Sequence, residues 1–287
     1  MKRIITLLFV GATLLGCDRS KEKAEADATP PIASTTAAAA PAPLTGDTPL
    51  FDLDTETQKA PDGSALDRII KGLHVRVCVR ADVAPFGSFS STGLQGLEVE
   101  LASALVEQIS IDYKQPLKID WTVVSAPERI KRLQEDGCDV LVASLSHTAE
   151  RAGQVGLSKP YLKTDKVLLA AGKITRKVPV IAKVAGTTSE LPADVKGTER
   201  VFTTYQEVAY AMDNEEIDYL VTDRPIADQL VRSVTKPYSV TKTVAPGAES
   251  YVAAVPNGHP ELLAAVDKAL ADLARTGRLA HIHRRWL

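Results

Sequence analysis

Residues 139–151, with the sequence DVLVASLSHTAER, contain the strand-to-helix transition that decides the fold. The run 139–143 is short and largely apolar, as expected of a parallel strand covered on both faces. Residues 149–155 are typical of a helix with Thr148 as its N-cap. Such a helix directs unpaired backbone N–H groups toward the space above the sheet. The Arg151 guanidinium and the hydroxyls of Ser144 and Ser146 would help to hold an anion there. The alternative for this loop by itself is an ordinary solvent-exposed turn.

Strands and helices alternate before this stretch. The predicted strands are residues 73–79, 117–124 and 139–143, and the predicted helices between them are residues 95–109 and 127–134. This order predicts a parallel sheet with right-handed crossovers, in which ligands bind at the carboxyl ends of the strands. The loops expected to converge there are residues 80–86, 124–129 and 144–151.

The pattern restarts after residue 161. Strands are predicted at residues 167–171, 178–182, 201–202, 217–222, 239–244 and 251–255. Helices are predicted at residues 205–212, from Pro225, at 260–276 and at 278–286, and residues 186–190 are predicted to turn into a short helix. A second α/β unit inserted into the first predicts two lobes, joined by crossovers near residues 162 and 256. We expect lobe I to comprise residues 66–162 and 257–287, lobe II residues 163–256, and a ligand cleft between them.

The N-terminus predicts export. Residues 1–16 combine a basic start with an apolar segment too short to span a bilayer as a mature helix, which is typical of a signal peptide. The sequence LLGC at residues 14–17 resembles the bacterial lipoprotein lipobox, and the resemblance implies cleavage before Cys17 and lipidation of that cysteine. In some lipoproteins an aspartate at the next position, here Asp18, is associated with retention at the inner membrane. We therefore expect a periplasmic protein with a lipid anchor, the inner membrane being favoured.

Residues 17–65 are expected to be the lipidated cysteine and a disordered linker. The stretch 24–49 consists mostly of Ala, Pro and Thr and has almost no large apolar side chains with which to form a core. The rest of the chain is long enough for two lobes. The formal charge is −2 for the whole chain and about −4 after removal of residues 1–16, and no basic stripe indicates a nucleic-acid partner.

Two cysteines, Cys78 and Cys138, lie in the part of the chain that is predicted to fold. An oxidising compartment permits a disulfide. If their strands are parallel neighbours, however, Cys138 lies several residues lower in register than Cys78, which is too far for a bridge. We therefore expect two buried thiols. The five histidines show no convincing metal-ligand spacing, and no metal or cofactor is expected.

Together these features resemble the bacterial periplasmic solute-binding proteins of family 3, which bind polar amino acids for ABC importers. The resemblance covers about residues 66–287 and rests on motifs in a fixed order. These are VRADVAPF at 79–86, GLQGLEVEL at 93–101, ERI at 128–130, residues 144–151 with SKPY at 158–161, GTT at 186–188, and Asp223. The resemblance implies a two-lobed type II α/β fold that closes over its ligand. It also implies a monomer without enzymatic activity that delivers its ligand to importer permeases.

The resemblance also implies roles for individual residues. Arg151 is expected to bind the α-carboxylate of an amino acid with help from Ser146 and Thr188, while Asp223 and Ser144 receive the α-ammonium. A zwitterion removed from water needs both charges paired at once, so a guanidinium and a carboxylate on opposite walls suit such a ligand. For Asp223 considered alone, the other interpretation is a helix-start cap.

Arg80 and Arg129 are expected to pair with a distal carboxylate of the ligand. Members that bind cationic amino acids resemble this chain but have an acidic residue where Arg80 stands, and many members have aromatic residues where Val83 and Ala126 stand. Arg80 would oppose a basic ligand, and loss of the aromatic residues would open the pocket. The pattern is most similar to that of glutamate and aspartate binders. An acidic amino acid is therefore favoured, and another polar amino acid stays open.

Two other functions stay open from the sequence. Some relatives on this fold are lyases that dehydrate arogenate or prephenate, which requires an acid or base in the cleft. Glu190 is the candidate for that role, although a surface position on the predicted short helix explains it as well. The second alternative is a ligand-sensing domain that presents itself to a membrane receptor instead of an importer.

Overall fold

The computed structural model describes residues 57–287. The predicted signal peptide, the predicted lipidation site Cys17 and most of the predicted linker lie outside the described residues. Within residues 57–287, no helix is both long and apolar enough to cross a membrane. The mixed α/β class predicted from the sequence is confirmed, with helices packed on a central sheet.

The strands begin and end close to the predicted positions in most cases. They are β1 (His74–Val79), β2 (Asp82–Val83), β3 (Gly87–Ser90), β4 (Gly93–Gln95), β5 (Lys118–Val123), β6 (Val140–Ser146), β7 (Gly156–Ala171), β8 (Val180–Val184), β9 (Thr198–Phe202), β10 (Tyr219–Asp223) and β11 (Tyr238–Val255). The helices are α1 (Ala65–Gly72), α2 (Leu97–Tyr113), α3 (Arg129–Gln134), α4 (Ala149–Ala152), α5 (Tyr205–Asp213), α6 (Arg224–Ser233), α7 (Pro260–Arg275) and α8 (Arg278–Trp286).

The main sheet has the strand order β5-β1-β6-β11-β7-β10-β8-β9, and β2, β3 and β4 form a small separate sheet. In the first half of the main sheet, β1 lies parallel to both β5 and β6. In the second half, β8 lies parallel to both β10 and β9. The predicted parallel α/β units are therefore present in both halves, and the carboxyl ends of their strands carry the loops described below.

Two long strands connect the halves. β11 pairs with β6 at Tyr251, Val252 and Ala254, and β7 pairs with β10 from Lys166 to Ala170. β7 and β11 also pair with each other, and their register shifts several times, including between Ala245 and Glu249.

The extent of β7 and β11 corrects the sequence prediction, which placed only residues 167–171 of β7 in a strand and divided β11 into residues 239–244 and 251–255. Pro160 and its polar neighbours suggested a break, yet Pro160 lies inside β7 opposite Val252. Pro246 and Gly247 likewise lie inside β11, and Gly247 has a φ of 58°. Irregular register lets a strand continue past such residues, because a bulge accommodates the missing donor and the unusual backbone angle.

The short helix predicted at residues 186–190 is absent, and these residues form a turn and an extended segment. The hydroxyl of Thr187 donates to the carbonyl of Val184 at 2.7 Å, and the hydroxyl of Thr188 donates to Glu249 at 2.9 Å. Hydroxyl groups that bond in this way compete with helix formation, so the segment is held as a loop.

Cys78 and Cys138 form a disulfide, and the prediction of two thiols is wrong. Their Cα atoms are 5.8 Å apart, although Cys78 lies opposite Leu141 in the β1–β6 register. Cys138 precedes the first residue of β6, and Asp136, with a φ of 57°, turns the chain just before it. Both cysteines lie in one apolar cluster on the same face of the sheet. Cys138 therefore reaches Cys78 across that face. Because Cys138 lies outside β6, the strand register does not set the distance between the two cysteines.

Candidate functional site

The loop from β6 to α4 forms the first wall of the site. The predicted N-cap is confirmed, because the Thr148 hydroxyl accepts from the Arg151 backbone N–H at 3.2 Å. The helix is shorter than predicted and ends at Ala152. This cap fixes the start of α4, and with it the position from which the Arg151 side chain extends.

Arg151 is buried and holds two backbone carbonyl groups. Its Nη1 donates to the carbonyl of Ser146 at 2.8 Å, and its Nη2 donates to the carbonyl of Gly186 at 2.9 Å. Gly186 belongs to the loop after β8, in the second half of the sheet. This loop forms the second wall of the site, and Arg151 therefore connects the two walls directly.

Arg129 reaches the same carbonyl from a second direction. Its Nη2 donates to Gly186 at 2.9 Å, and its Nη1 donates to the carbonyls of Ala143 at 2.8 Å and Ser144 at 3.2 Å. Burial, together with the charges of Arg80 and Arg151, lowers the pKa of Arg129 to about 9. The guanidinium is therefore still protonated at neutral pH. Its buried Nε has no hydrogen-bond partner among the described residues.

Gly186 accepts both guanidinium groups because its backbone approaches the first wall closely. Its φ is 73°, and an added Cβ would lie 2.6 Å from the carbonyl oxygen of Ala126. A side chain at this position would push the loop away from Ala126, which is itself buried. Glycine is therefore required for this contact.

Ser144 is occupied by another carboxylate. Its backbone N–H donates to Oε1 of Glu98 at 2.6 Å, and its hydroxyl donates to Oε2 at 3.1 Å. Glu98 is completely buried and also accepts from the hydroxyl of Tyr161 at 2.6 Å. Burial raises the pKa of Glu98, although the hydrogen bonds from Tyr161 and Ser144 oppose this rise. Because Ser144 has a φ of 49°, these bonds also hold a residue in the left-handed region.

Asp223 ends β10 and stands at the start of α6, but its side chain makes no cap hydrogen bond. The Tyr251 hydroxyl donates to Oδ2 of Asp223. The ammonium of Lys166 lies 3.6 Å from Oδ1, at ion-pair distance, and Oδ1 has no hydrogen-bond partner among the described residues. Burial raises the pKa of Asp223, against the opposing effect of Lys166. The interpretation as a helix cap is thereby excluded, and Asp223 faces the same cluster of polar groups as Thr188.

Lys166 and Glu249 form a buried ion pair at the centre of this cluster. Nζ of Lys166 lies 2.8 Å from Oε1 of Glu249, and it also donates to the carbonyl of Thr188 at 2.8 Å. The Thr188 hydroxyl donates to Glu249 and lies 3.3 Å from the hydroxyl of Ser146. Sequence reasoning does not identify Lys166 or Glu249 as site residues. The available signal was a lysine directly before the apolar run 167–171, because a charged residue at the start of a buried strand needs a partner.

Arg80 is buried but is paired within its own segment. Its Nε and Nη2 donate to the two carboxylate oxygens of Asp82 at 2.8 and 2.6 Å. The guanidinium also lies 5.5 Å from the ring centroid of Tyr205. In extended backbone, residues two apart lie on the same side, so the RAD sequence at 80–82 could have indicated this pair.

The predicted residues therefore fall into three groups. Arg129, Ser146, Arg151, Thr188 and Asp223 belong to one network of polar contacts between the two halves of the sheet. Ser144 is bonded to Glu98, and Arg80 to Asp82. The two positions at which relatives often carry aromatic residues, Val83 and Ala126, are both buried. Among residues 57–287, no cluster of His, Cys, Asp and Glu has the arrangement of a metal site.

Comparison with known proteins identifies relatives with binding functions. The chain is 27% identical over 233 residues to the ABC transporter glutamine-binding protein GlnH of Bacillus subtilis (strain 168), covering 77% of this chain and 81% of the relative. It is 25% identical over 242 residues to the L-cystine-binding protein TcyJ of Escherichia coli (strain K12), covering 78% of this chain and 86% of the relative.

A solved structure has the same fold. The structure of an ancestral arginine-binding protein bound to arginine matches with a TM-score of 0.67 and 25% identity, covering 75% of this chain and 98% of that one. The family model of the bacterial extracellular solute-binding proteins, family 3, matches residues 75–287. A binding role is thus supported over a catalytic one, as predicted from the sequence. The chain belongs to the bacterial extracellular solute-binding proteins, family 3.

Proposed function

We propose that the protein captures a polar amino acid in a cleft between two lobes and delivers it to the permease of an ABC importer. The observation that carries this proposal is the network that joins Arg151, Thr188 and Asp223 across the two halves of the sheet. It supplies a guanidinium, hydroxyl groups and a carboxylate within one buried region. A free amino acid has the complementary charges, and the named relatives bind amino acids.

The proposed lobes are those expected from the sequence, residues 66–162 with 257–287 and residues 163–256. The long strands β7 and β11 would act as the hinge. The register breaks of β11 before residue 251 favour bending there, because a bulge weakens the ladder locally. The Gly186 loop already contacts Arg129 and Arg151 in this structure, so opening of the cleft would separate it from them.

Within the cleft, Arg151 would bind the α-carboxylate with Ser146 and Thr188. Asp223 would bind the α-ammonium, and Oδ1 of Asp223 is the oxygen that lacks a hydrogen-bond donor among residues 57–287. Ser144 contributes to this subsite only if its hydroxyl exchanges Glu98 for the ligand. A buried zwitterion bound in this way has both charges compensated.

For the side chain we propose an acidic amino acid, glutamate or aspartate, as the preferred class. Arg80 and Arg129 would bind its distal carboxylate, and a basic side chain would meet like charges. Arg80 already has Asp82 as a partner, so the ligand would share this guanidinium or replace Asp82 on it. The relatives named for glutamine, cystine and arginine support an amino-acid ligand without favouring the acidic class.

The test is a thermal-shift screen with the twenty amino acids and small dicarboxylates. A ligand at one hundred times its Kd stabilises the protein by about 2.7 kcal/mol. We expect glutamate or aspartate to give the largest shift and Arg151→Ala to abolish the shift for every ligand. Arg275→Ala is the matched control, because it removes an equal charge from an exposed site. A screen without any stabilising amino acid would contradict the proposal.

The acidic preference needs a separate variant. Arg80→Met combined with Asp82→Asn removes the ion pair without leaving Asp82 buried beside an apolar side chain. We expect this double variant to lose more than tenfold in affinity for glutamate and aspartate while neutral amino acids bind as before. Equal losses for both classes would assign Arg80 a purely structural role.

A further inference from the structure

Glu249 contacts Thr188, one of the groups that the proposed function gives to the ligand's carboxylate. Its Oε1 accepts from the Thr188 hydroxyl at 2.9 Å and from Lys166 at 2.8 Å. Burial by itself raises the pKa of Glu249, but hydrogen bonds from Lys166, Ser146 and Thr188 outweigh it and hold the pKa below its ordinary value. The charge of Glu249 also favours the protonated form of Arg151. Ser146, Arg151 and Thr188 are the same groups that would bind a free α-carboxylate.

Lys166 lies beside the carboxylate that would bind the ligand's ammonium. Its Nζ lies 3.6 Å from Oδ1 of Asp223, the carboxylate assigned to the ammonium of an amino acid. Lys166 and Glu249 each expose only 6% of their surface. The Glu249 carboxylate therefore faces Thr188 and the Lys166 ammonium faces Asp223, as the two charged groups of a bound amino acid would.

The backbone around Glu249 leaves this arrangement open to change. Glu249 is the first residue of β11 that returns to register with β7, opposite Thr164, after the break that begins at Ala245. Gly247 within the break has a φ of 58°, and no atom of the described part of the chain lies within 4 Å of the position of an added Cβ. A strand segment beside such a break can shift without losing a continuous ladder. Glu249 is thus placed where its side chain can leave the site.

We propose that the Lys166–Glu249 pair is an intramolecular plug, which occupies the amino-acid subsites and which a ligand must displace in order to bind. The inference rests on the proposed function, because it uses the same subsites. The plug makes Lys166 and Glu249 specificity-determining residues. Only a ligand whose two charges replace both plug contacts at once can enter without leaving a buried charge uncompensated.

The plug also holds the walls together. Glu249 lies at the crossing between the halves, and its carboxylate is stabilised by Ser146 from the first wall and by Thr188 from the second. Removal of the carboxylate should loosen this contact in buffer that contains no amino acid. This consequence allows the plug to be tested without reference to any ligand.

The experiment compares the purified full-length protein with its Glu249→Gln and Glu249→Ala variants. Titration calorimetry uses L-glutamate and L-glutamine as probes, because they are nearly equal in size and differ in side-chain charge. We expect both probes to bind at least tenfold more tightly to each variant than to the wild type, since Lys166 and Thr188 are then available to the ligand. Glu199→Gln is the control, because it removes the same charge from the exposed pair with Lys183.

Hydrogen exchange without amino acid is the second measurement. In the Glu249 variants we expect backbone amides of residues 144–148 and 186–190 to exchange at least tenfold faster, while amides within α2 are unchanged. Unchanged affinity for the probes, or unchanged exchange in these segments, overturns the plug. If neither probe binds to any variant, the proposed function is contradicted for these ligands. In that case exchange decides the plug, with faster exchange supporting it and unchanged exchange overturning it.

Discussion

The buried arginines differ in what holds them, and that difference separates their roles. Arg80 has a carboxylate of its own in Asp82, whereas Arg129 and Arg151 both donate to backbone carbonyls and share the one of Gly186. A guanidinium bonded only to neutral oxygens keeps an uncompensated positive charge, and such a charge favours an incoming anion. Arg129 and Arg151 therefore form the electropositive part of the site.

The sequence indicated Arg151, Thr188 and Asp223 because each stands beside a strand end in a motif of the family. Lys166 and Glu249 could not be found in this way. Each lies in a strand whose partner is far along the chain, and the one local signal, the position of Lys166 directly before the apolar run 167–171, does not identify its partner. Their burial is decided by the β7–β11 register, which the sequence did not predict.

Another buried carboxylate, Asp139, permits a prediction about pH and stability. Burial by itself raises the pKa of Asp139, but Arg76 and Arg68 outweigh burial and lower it below its ordinary value. A group whose pKa is lower in the folded protein stabilises it above the unfolded pKa, about 4, and loses this contribution as the pH falls through the folded value. We therefore expect Asp139→Asn to lower the free energy of unfolding at pH 7 by about 2 kcal/mol. This is less than for a fully buried pair, because both arginines reach solvent.

Urea denaturation at pH 7 and pH 3 measures this effect. The difference between wild type and Asp139→Asn should shrink at the lower pH, because protonation removes the charge from the wild type. Asp136→Asn is the control, since Asp136 contacts the same Arg76 from an exposed position. A difference that is equal at both pH values would show that Asp139 acts through packing alone.

At the scale of the elements, most helices and strands were predicted because their apolar periodicity is local. α2 buries Leu97, Leu101, Ala104 and Leu105, the apolar residues at helical spacing that indicated it. The prediction failed where long-range contacts decide the outcome. Proline and glycine suggested breaks in β7 and β11, but pairing with neighbouring strands carried both strands through. The loop at residues 186–190 was missed for a similar reason, since the Thr188 hydroxyl bonds to the distant Glu249.

The disulfide between β1 and the start of β6 permits a second prediction. The two cysteines are separated by 60 residues in the sequence, and a loop of that size corresponds to about 4 kcal/mol of stabilisation in the chain-entropy account. We expect the Cys78→Ala, Cys138→Ala double variant to lose about this much free energy of unfolding. Reductant should destabilise the wild type in urea and leave the double variant unaffected. Identical unfolding of oxidised and reduced wild type would contradict the prediction.

At the scale of the whole molecule, the protein joins a family fold to an N-terminal segment, residues 1–16, with the sequence pattern expected of a signal peptide. The fold could be predicted because family motifs occur in order over most of the chain and the family model matches residues 75–287. The lipid anchor at Cys17 and the periplasmic location remain proposals. A tethered binding protein would diffuse in the plane of the membrane and meet its permease there.

The anchor leads to a third prediction. Cys17→Ala removes the only thiol to which the lipid would be attached within the lipobox-like sequence, so the variant should move from the membrane fraction to the soluble periplasmic fraction. Labelling with radioactive palmitate should mark the wild type and leave Cys17→Ala unlabelled. The Cys78→Ala, Cys138→Ala variant is the control and should stay in the membrane fraction. Retention of Cys17→Ala in the membrane would contradict the lipid anchor.

The pairing of β7 with β11 has a mechanical consequence. Between the segments that pair with β6 and with β10, these two strands form a narrow ribbon. Such a ribbon flexes readily across its flat side and resists flexing edgewise, since edgewise curvature stretches one strand while it compresses the other. The two halves should consequently rotate about a single axis that passes near Pro246 and Gly247, where the register of β11 breaks. Stiffening that segment would slow the rotation without altering any group that touches a solute.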